Sequence, residues 1–374
     1  MNSVDSLLNA LRRSELLAPE QIEQIVQELV PVCPDAESIL RYLVEIDWLT
    51  VYQSNQLLSR RGNELTFGPY QILDLLVVGG NSDLFKAWDT HHGREVVIKV
   101  LRRELSVDPD YVARFQSETQ ILAQLNHPHI IKLFDTGALE SRPYYVMEKV
   151  EGGDLEAYVR RNGPLSIERA CELGRQAALA LQHIHSLGVI HGDIRPAHLL
   201  VSCTPSSGAD SVLKIIDWSA ARLIADIRPN NESNDDIENV DYIAPEMFAE
   251  SGRLNLPLGS VSWKIDIRAD LYSLGAVLYF LLTGLPPFKG GTTAQKIAKH
   301  RQAPPPSVRD IRPEVSVELD ELIKRLLAKS PDERPRIPLL IVNPLRKLAS
   351  GAMNATGSDS RASIPALRPS VSNR

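Results

Sequence analysis

The chain has 374 residues, 43% of them hydrophobic, and carries 41 basic against 47 acidic side chains for a formal net charge of −6. That length allows two or three domains with a sizeable core, and that charge gives no electrostatic footing for nucleic acid or an anionic membrane. Cys33, Cys171 and Cys203 are far apart and odd in number, which excludes a disulfide framework and a metal-ligand spacing and implies a reducing cytosol. Met1–Asn9 lacks the basic and apolar runs of a secretory leader. The most apolar stretch, Leu274–Leu282, falls short of the roughly 18–20 residues of a membrane span and reads as a buried helix.

In chain order, residues 1–62 read as a small all-α module. Ile22, Ile25, Val26 and Leu29 recur at helical spacing after Pro19, a good first-turn residue. Ile39, Leu40, Leu43 and Val44 form a second apolar face, and Gln53–Ser59 a further short helix ending near Gly62. From Phe67 the pattern changes to strands: Tyr70–Val78, Leu84–Asp89 and Glu95–Leu101, rich in β-branched and aromatic residues and split by Gly and Asn. A helix opens at Asp108-Pro109 and runs to about Leu125, followed by strand-like Ile130–Asp135 and Tyr144–Lys149. After Gly152-Gly153 the chain turns mostly helical. A β-rich lobe before a helix-rich lobe suggests a ligand cleft between them. The tail 349–374, rich in Ser, Ala, Arg, Pro and Asn without a periodic apolar face, reads as disordered.

Phosphoryl transfer from ATP needs a lysine on the phosphates, a carboxylate holding it, acidic metal ligands and a base near the acceptor hydroxyl. The chain offers these in order. Val97-Ile98-Lys99 matches V-A-I-K, and Glu118 in "RFQSETQIL" follows on a helix. His191-Gly192-Asp193-Ile194-Arg195-Pro196-Ala197-His198 matches the catalytic loop H-R-D-L-K-P-x-N, and Asp217-Trp218-Ser219 matches D-F-G. Ala244-Pro245-Glu246, Asp270 and Arg334 follow. Over residues 67–348 the sequence resembles the bacterial eukaryotic-like serine/threonine protein kinases. The "WLT-YQ-NQLL" stretch at Trp48–Leu58 is similar to a module that precedes the kinase domain in some of them.

The resemblance implies an α+β, bilobal protein-kinase fold, with a β-rich N-lobe and a helical C-lobe, preceded by the small all-α module. It implies ATP and Mg²⁺ as cofactors and a protein as substrate, with no partner indicated for the module. Lys99, held by Glu118, would pair with the α- and β-phosphates. Asp193 would orient the acceptor hydroxyl, and Arg195 would keep a positive charge near the γ-phosphate. Asp217 would hold Mg²⁺. Val77, Gly79 and Gly80 fall in the phosphate loop, and Met147, Glu148 and Val150 at the gatekeeper and hinge, where backbone groups bind adenine.

Several positions depart from the family. Val77 and Ser82 replace the first and third glycines of G-x-G-x-x-G; a valine does not readily take φ > 0, and Asp83 adds negative charge near a polyanion. His198 replaces the asparagine that ligates a second Mg²⁺; it reads either as a ligand suited to Mn²⁺ or as a hydrogen-bonding loop residue. Gly192 replaces the arginine that receives an activation-loop phosphate. Ser219 replaces the D-F-G glycine, and Asn239 a threonine that bonds the catalytic aspartate. Glu232–Asp236 reads as a solvated acidic loop and Ser251–Trp263 as an extra surface loop. The expected function is an ATP-dependent serine/threonine kinase of reduced activity, with a pseudokinase acting as a binding or scaffold protein as the alternative. Ala244–Glu246, Asp270 and Arg334 disfavour a small-molecule phosphotransferase.

Overall fold

The computed structural model describes residues 3–33, 35–202, 211–223, 240–248 and 265–351. Cys203, Glu232–Asp236, Asn239, Ser251–Trp263 and the tail from 352 lie outside them. The chain divides into two compact units, the first built from residues up to 119 with 133–149, the second from 120–132 and the chain after 149.

The first unit opens with helices α1 (Val4–Ser14), α2 (Pro19–Gln24), α3 (Ala36–Glu45) and α4 (Val51–Leu58), a π-helical turn Ile25–Leu29 extending α2. Helix α1 was not evident from periodicity. Its signals are Ser3, whose side chain caps the Ser6 amide at 3.2 Å, and buried Leu7, Leu8 and Leu11. Strands β1 (Thr66–Phe67), β2 (Tyr70–Val78), β3 (Ser82–Asp89), β4 (Arg94–Leu101), β5 (Leu133–Leu139) and β6 (Arg142–Glu148) form one antiparallel sheet in the order β1-β2-β3-β4-β6-β5. Helix α5 (Pro109–Ala123) follows β4. The strand expected over 130–135 is displaced: β5 starts at Leu133 and continues through polar Thr136 and Gly137, while buried Ile130 makes an isolated parallel bridge to Ile215.

Strand alternation sorts the sheet into two faces. Pairing places Leu84 opposite Lys99, Lys99 opposite Tyr145, and Val97 opposite Met147. These share one face. Their neighbours Ala87, Val96, Ile98, Val100, Tyr144 and Val146 occupy the other, and there they join Leu7, Leu11, Ile25, Ile39, Leu40, Leu43 and Leu57 of the helices in a single buried cluster. Helix α4 is fastened to β2 through its own cap. Thr50 Oγ1 accepts from the Gln53 amide at 3.1 Å and donates to the Leu73 carbonyl at 2.6 Å. Gln53 Oε1 accepts from the Thr50 amide at 2.9 Å, while its Nε2 donates to the Ile72 carbonyl at 2.8 Å. A capping box that usually serves only its helix here also satisfies strand carbonyls.

The second unit contains β7 (Gly152–Asp154), α6 (Leu155–Asn162), α7 (Ile167–Ser186), β8 (Val189–Ile190), β9 (Leu199–Ser202), β10 (Leu213–Ile215), β11 (Arg222–Leu223), α8 (Arg268–Thr283), α9 (Thr293–Gln302), α10 (Val317–Leu326) and α11 (Leu339–Gly351). Helix α8 holds the most apolar stretch of the sequence and is buried on all sides from Ala269 to Thr283, stopped by left-handed Gly284. Among the described residues no helix is long and apolar enough to cross a membrane. Helix α11 passes the expected domain end at 348 and packs along α7.

Candidate active site

In the first unit, β4 presents Lys99 on the face away from the helices, and α5 presents Glu118. Lys99 Nζ lies 2.7 Å from Glu118 Oε1, both side chains at most 10% exposed. The Tyr145 hydroxyl donates to the same Oε1 at 2.7 Å. Sequence reading missed Tyr145; its strand register opposite Lys99 is the signal. A buried carboxylate bonded by a lysine and a phenol is fixed in place, which fixes the lysine too.

The hairpin between β2 and β3 spans Gly79, Gly80 and Asn81. Two expectations about it need correction. Neither Gly79 nor Gly80 has positive φ, and Val77 lies within strand β2, so loss of φ > 0 is not what Val77 imposes. Close approach selects Gly79 instead: a Cβ there would stand 2.3 Å from the Ser82 carbonyl oxygen. Asp83 pairs with Val100, on the sheet face opposite Lys99. Burial pushes its carboxyl above 3.8 despite nearby Arg102, whose Nη1 donates to the Gly79 carbonyl at 3.3 Å. Met147 and Glu148 end β6, and Val150 follows two residues later in the second unit.

In the second unit, buried Asp270 of α8 organises the loop after β8. It accepts from His185 Nε2, the His191 amide and the Gly192 amide, each at 2.9 Å. Burial alone would raise its pKa; the bonds from His185 and Gly192 outweigh that and hold it below 3.8. His191 is kept neutral by burial, donating from Nε2 to the Ile216 carbonyl at 3.2 Å and packing edge-on against Trp218 at 4.7 Å. Gly192 has φ 79°, and a Cβ there would stand 2.9 Å from the Ala220 carbonyl oxygen, so glycine relieves a left-handed, crowded position.

This loop brings Asp193, Arg195, His198 and Asp217 together. His198 Nδ1 donates to the Asp193 backbone carbonyl at 2.9 Å, and Arg195 Nε donates to His198 Nε2 at 3.0 Å. His198 Nε2 is 3.4 Å from Asp217 Oδ2, and Arg195 Nε is 3.6 Å from Asp193 Oδ2. Asp217 has φ 59°, a backbone conformation uncommon outside glycine and frequent at functional sites. Further along, Glu246 and Arg334 form a fully buried bidentate pair at 2.6 and 2.9 Å.

Residues 70–345 match the protein kinase domain family. The chain belongs to the protein kinase family. It is 37% identical over 271 residues to serine/threonine-protein kinase PknB of Mycobacterium leprae, covering 71% of this chain and 40% of that protein. It is 35% identical over 277 residues to PknE of Mycobacterium bovis, covering 74% of this chain and 45% of that protein. It thus matches less than half the length of each of these curated relatives. The kinase domain of Mycobacterium tuberculosis PknI superposes with a TM-score of 0.55 at 23% identity, over 76% of this chain and 97% of that one, and supports the α+β bilobal kinase fold.

Protein kinases use ATP with a divalent cation. Among the described residues no group of three or more His, Cys, Asp or Glu is arranged to hold a metal ion. A cation here would therefore draw on the Asp217 carboxylate, nucleotide oxygens and water, a donor set that suits Mg²⁺. Each ring nitrogen of His198 has a hydrogen-bond partner.

Proposed function

We propose that the chain transfers the γ-phosphoryl group of ATP to serine or threonine hydroxyls of proteins, more slowly than relatives with an intact glycine loop and catalytic-loop asparagine. The observation that carries this reading is the buried 2.7 Å Lys99–Glu118 pair. A lysine held in this way is positioned to meet phosphates, whereas an incidental strand lysine would face water. Lys99 binds the α- and β-phosphates. Asp193 orients the acceptor hydroxyl and takes its proton as the new P–O bond forms and the bond to the β-phosphate oxygen breaks. Asp217 holds the divalent cation, which screens the phosphate charge when bound. The adenine edge is read by backbone groups of Glu148 and Val150 beside Met147.

A kinase-shaped binding protein with little turnover is the second reading, favoured by the engagement of His198 with Arg195. The test is phosphorylation of the chain itself, or of a generic basic protein, with Mg-ATP or Mn-ATP. Transfer above an Asp217→Asn control is expected; its absence with both metals would remove the enzyme reading. Nucleotide is expected to raise the melting temperature of wild type and not of Lys99→Met.

A further inference from the structure

We propose that this chain works with one divalent cation, held by Asp217, and that the Arg195–His198 pair closes the position of a second. The proposal rests on the kinase reading above and adds to it the number of metal ions.

A ligand must offer a lone pair, and a neutral imidazole has only one. In His198 the Asp193 carbonyl, an obligate acceptor, lies 2.9 Å from Nδ1, so Nδ1 carries the hydrogen. The lone pair is then on Nε2. Arg195 Nε, an obligate donor, points at that nitrogen from 3.0 Å. Nothing is left on the ring for a cation. The side chain is only 7% exposed, so the ring cannot readily turn outward to free itself. Its 3.4 Å approach to Asp217 Oδ2 shows that the imidazole stands beside the cation-holding carboxylate. The same guanidinium lies 3.6 Å from Asp193 Oδ2. Arginine keeps its charge at any working pH, so this positive charge is permanent and independent of metal concentration. The alteration at His198 and the alteration at Arg195 are thus one device: each residue is the other's hydrogen-bond partner. An asparagine, as in the family's H-R-D-L-K-P-x-N pattern, would bring a hard oxygen with two lone pairs in place of the single one.

The test counts Mn²⁺ bound to the full chain by electron paramagnetic resonance, with one equivalent of a non-hydrolysable ATP analogue, at protein concentrations above the nucleotide dissociation constant. Mn²⁺ accepts imidazole more readily than Mg²⁺ does, so the probe is biased against the proposal. One Mn²⁺ per wild-type chain and two per His198→Asn chain are expected. Arg195→Ala frees the Nε2 lone pair and is expected to gain a second Mn²⁺ with nitrogen hyperfine coupling. Two ions on wild type with affinities within tenfold would overturn the proposal alone. So would a count that stays at one in both variants. No bound Mn²⁺ on wild type would overturn both the proposal and the kinase reading.

Discussion

Replacing Arg334 by lysine tests what holds the segment around Glu246 to the helical unit. The guanidinium donates every one of its N–H groups: Nε to the Ala328 carbonyl at 2.8 Å, Nη1 to Glu246 Oε1 at 2.6 Å and the Arg268 carbonyl at 3.0 Å, and Nη2 to Glu246 Oε2 at 2.9 Å and the Lys329 carbonyl at 3.0 Å. It also lies 4.9 Å over the Tyr272 ring. An ammonium has three donors at a single point, so lysine leaves at least two buried acceptors unpaired. At about 1–3 kcal/mol each, the loss is roughly 2–6 kcal/mol, a fall in melting temperature of about 4–24 °C for a unit of this size. Arg334→Met goes further by leaving the Glu246 carboxylate buried alone, a cost of about 3–5 kcal/mol before the carbonyls are considered, against a total stability of about 5–15 kcal/mol. Adding Glu246→Gln to Arg334→Met removes the stranded charge and is expected to recover part of the loss. The assay is urea unfolding followed by circular dichroism. An Arg334→Lys chain within about 0.5 kcal/mol of wild type would refute the reasoning, because so small a change is what an ordinary surface substitution gives.

Other outcomes follow from single contacts. Gln53→Ala strands the buried Ile72 carbonyl and opens the α4 cap; it is expected to cost about 1–3 kcal/mol and to speed amide exchange in β2, and unchanged exchange there would remove the link between helix and strand. Gly192→Ala places a Cβ against the Ala220 carbonyl at positive φ and is expected to cost about 1–2 kcal/mol; a variant melting at or above wild type would contradict it. Buried His300 is held neutral, its pKa lowered from 6.5 to about 3, with Tyr272 bonded to Nδ1 at 2.8 Å. The unfolded chain binds this proton first, so stability falls as pH drops from 6.5 toward 3, and His300→Gln is expected to flatten that slope by up to about 1.4 kcal/mol per pH unit.

Much of the candidate site was legible because its residues are tied to short linear patterns. Lys99, Glu118, Asp193 and Asp217 each sit in a stretch whose neighbours define it. The Leu274–Leu282 run announced a helix buried on all sides, as α8 is. What was not legible needs a second strand or a turn. Tyr145 reaches Glu118 only because β6 pairs with β4 in one register. Asp83 looked hostile to phosphate in sequence, yet a one-residue step along β3 puts it on the opposite face from Lys99. The strand expected at 130–135 followed an apolar run, but Ile130 and Ile131 are apolar because they are buried beside β10, while β5 runs on through polar residues. Arg195 and His198, three residues apart, meet through the 3₁₀ turn Pro196–His198, a conformation that residue types alone do not reveal.

The two faces of the sheet explain why the helices before it matter to the chemistry on its far side. Along β4, Val96, Ile98 and Val100 point into the core shared with α1–α4, and Val97 and Lys99 point away from it. The strand cannot shift by one residue without exchanging these sets, which would bury Lys99 among leucines and expose three apolar side chains. The helices therefore pin the register that orients Lys99 toward Glu118. The same holds for β2, whose C-terminal half is less well covered: Leu76, Val77 and Val78 are each about half exposed or more, and the strand's pairing with β3 is interrupted twice by register shifts. Thr50 and Gln53 grip its carbonyls at Leu73 and Ile72, next to the first of those irregularities. The first strand of this hairpin is thus steadied from behind, by a cap whose side chains bond to both helix and strand.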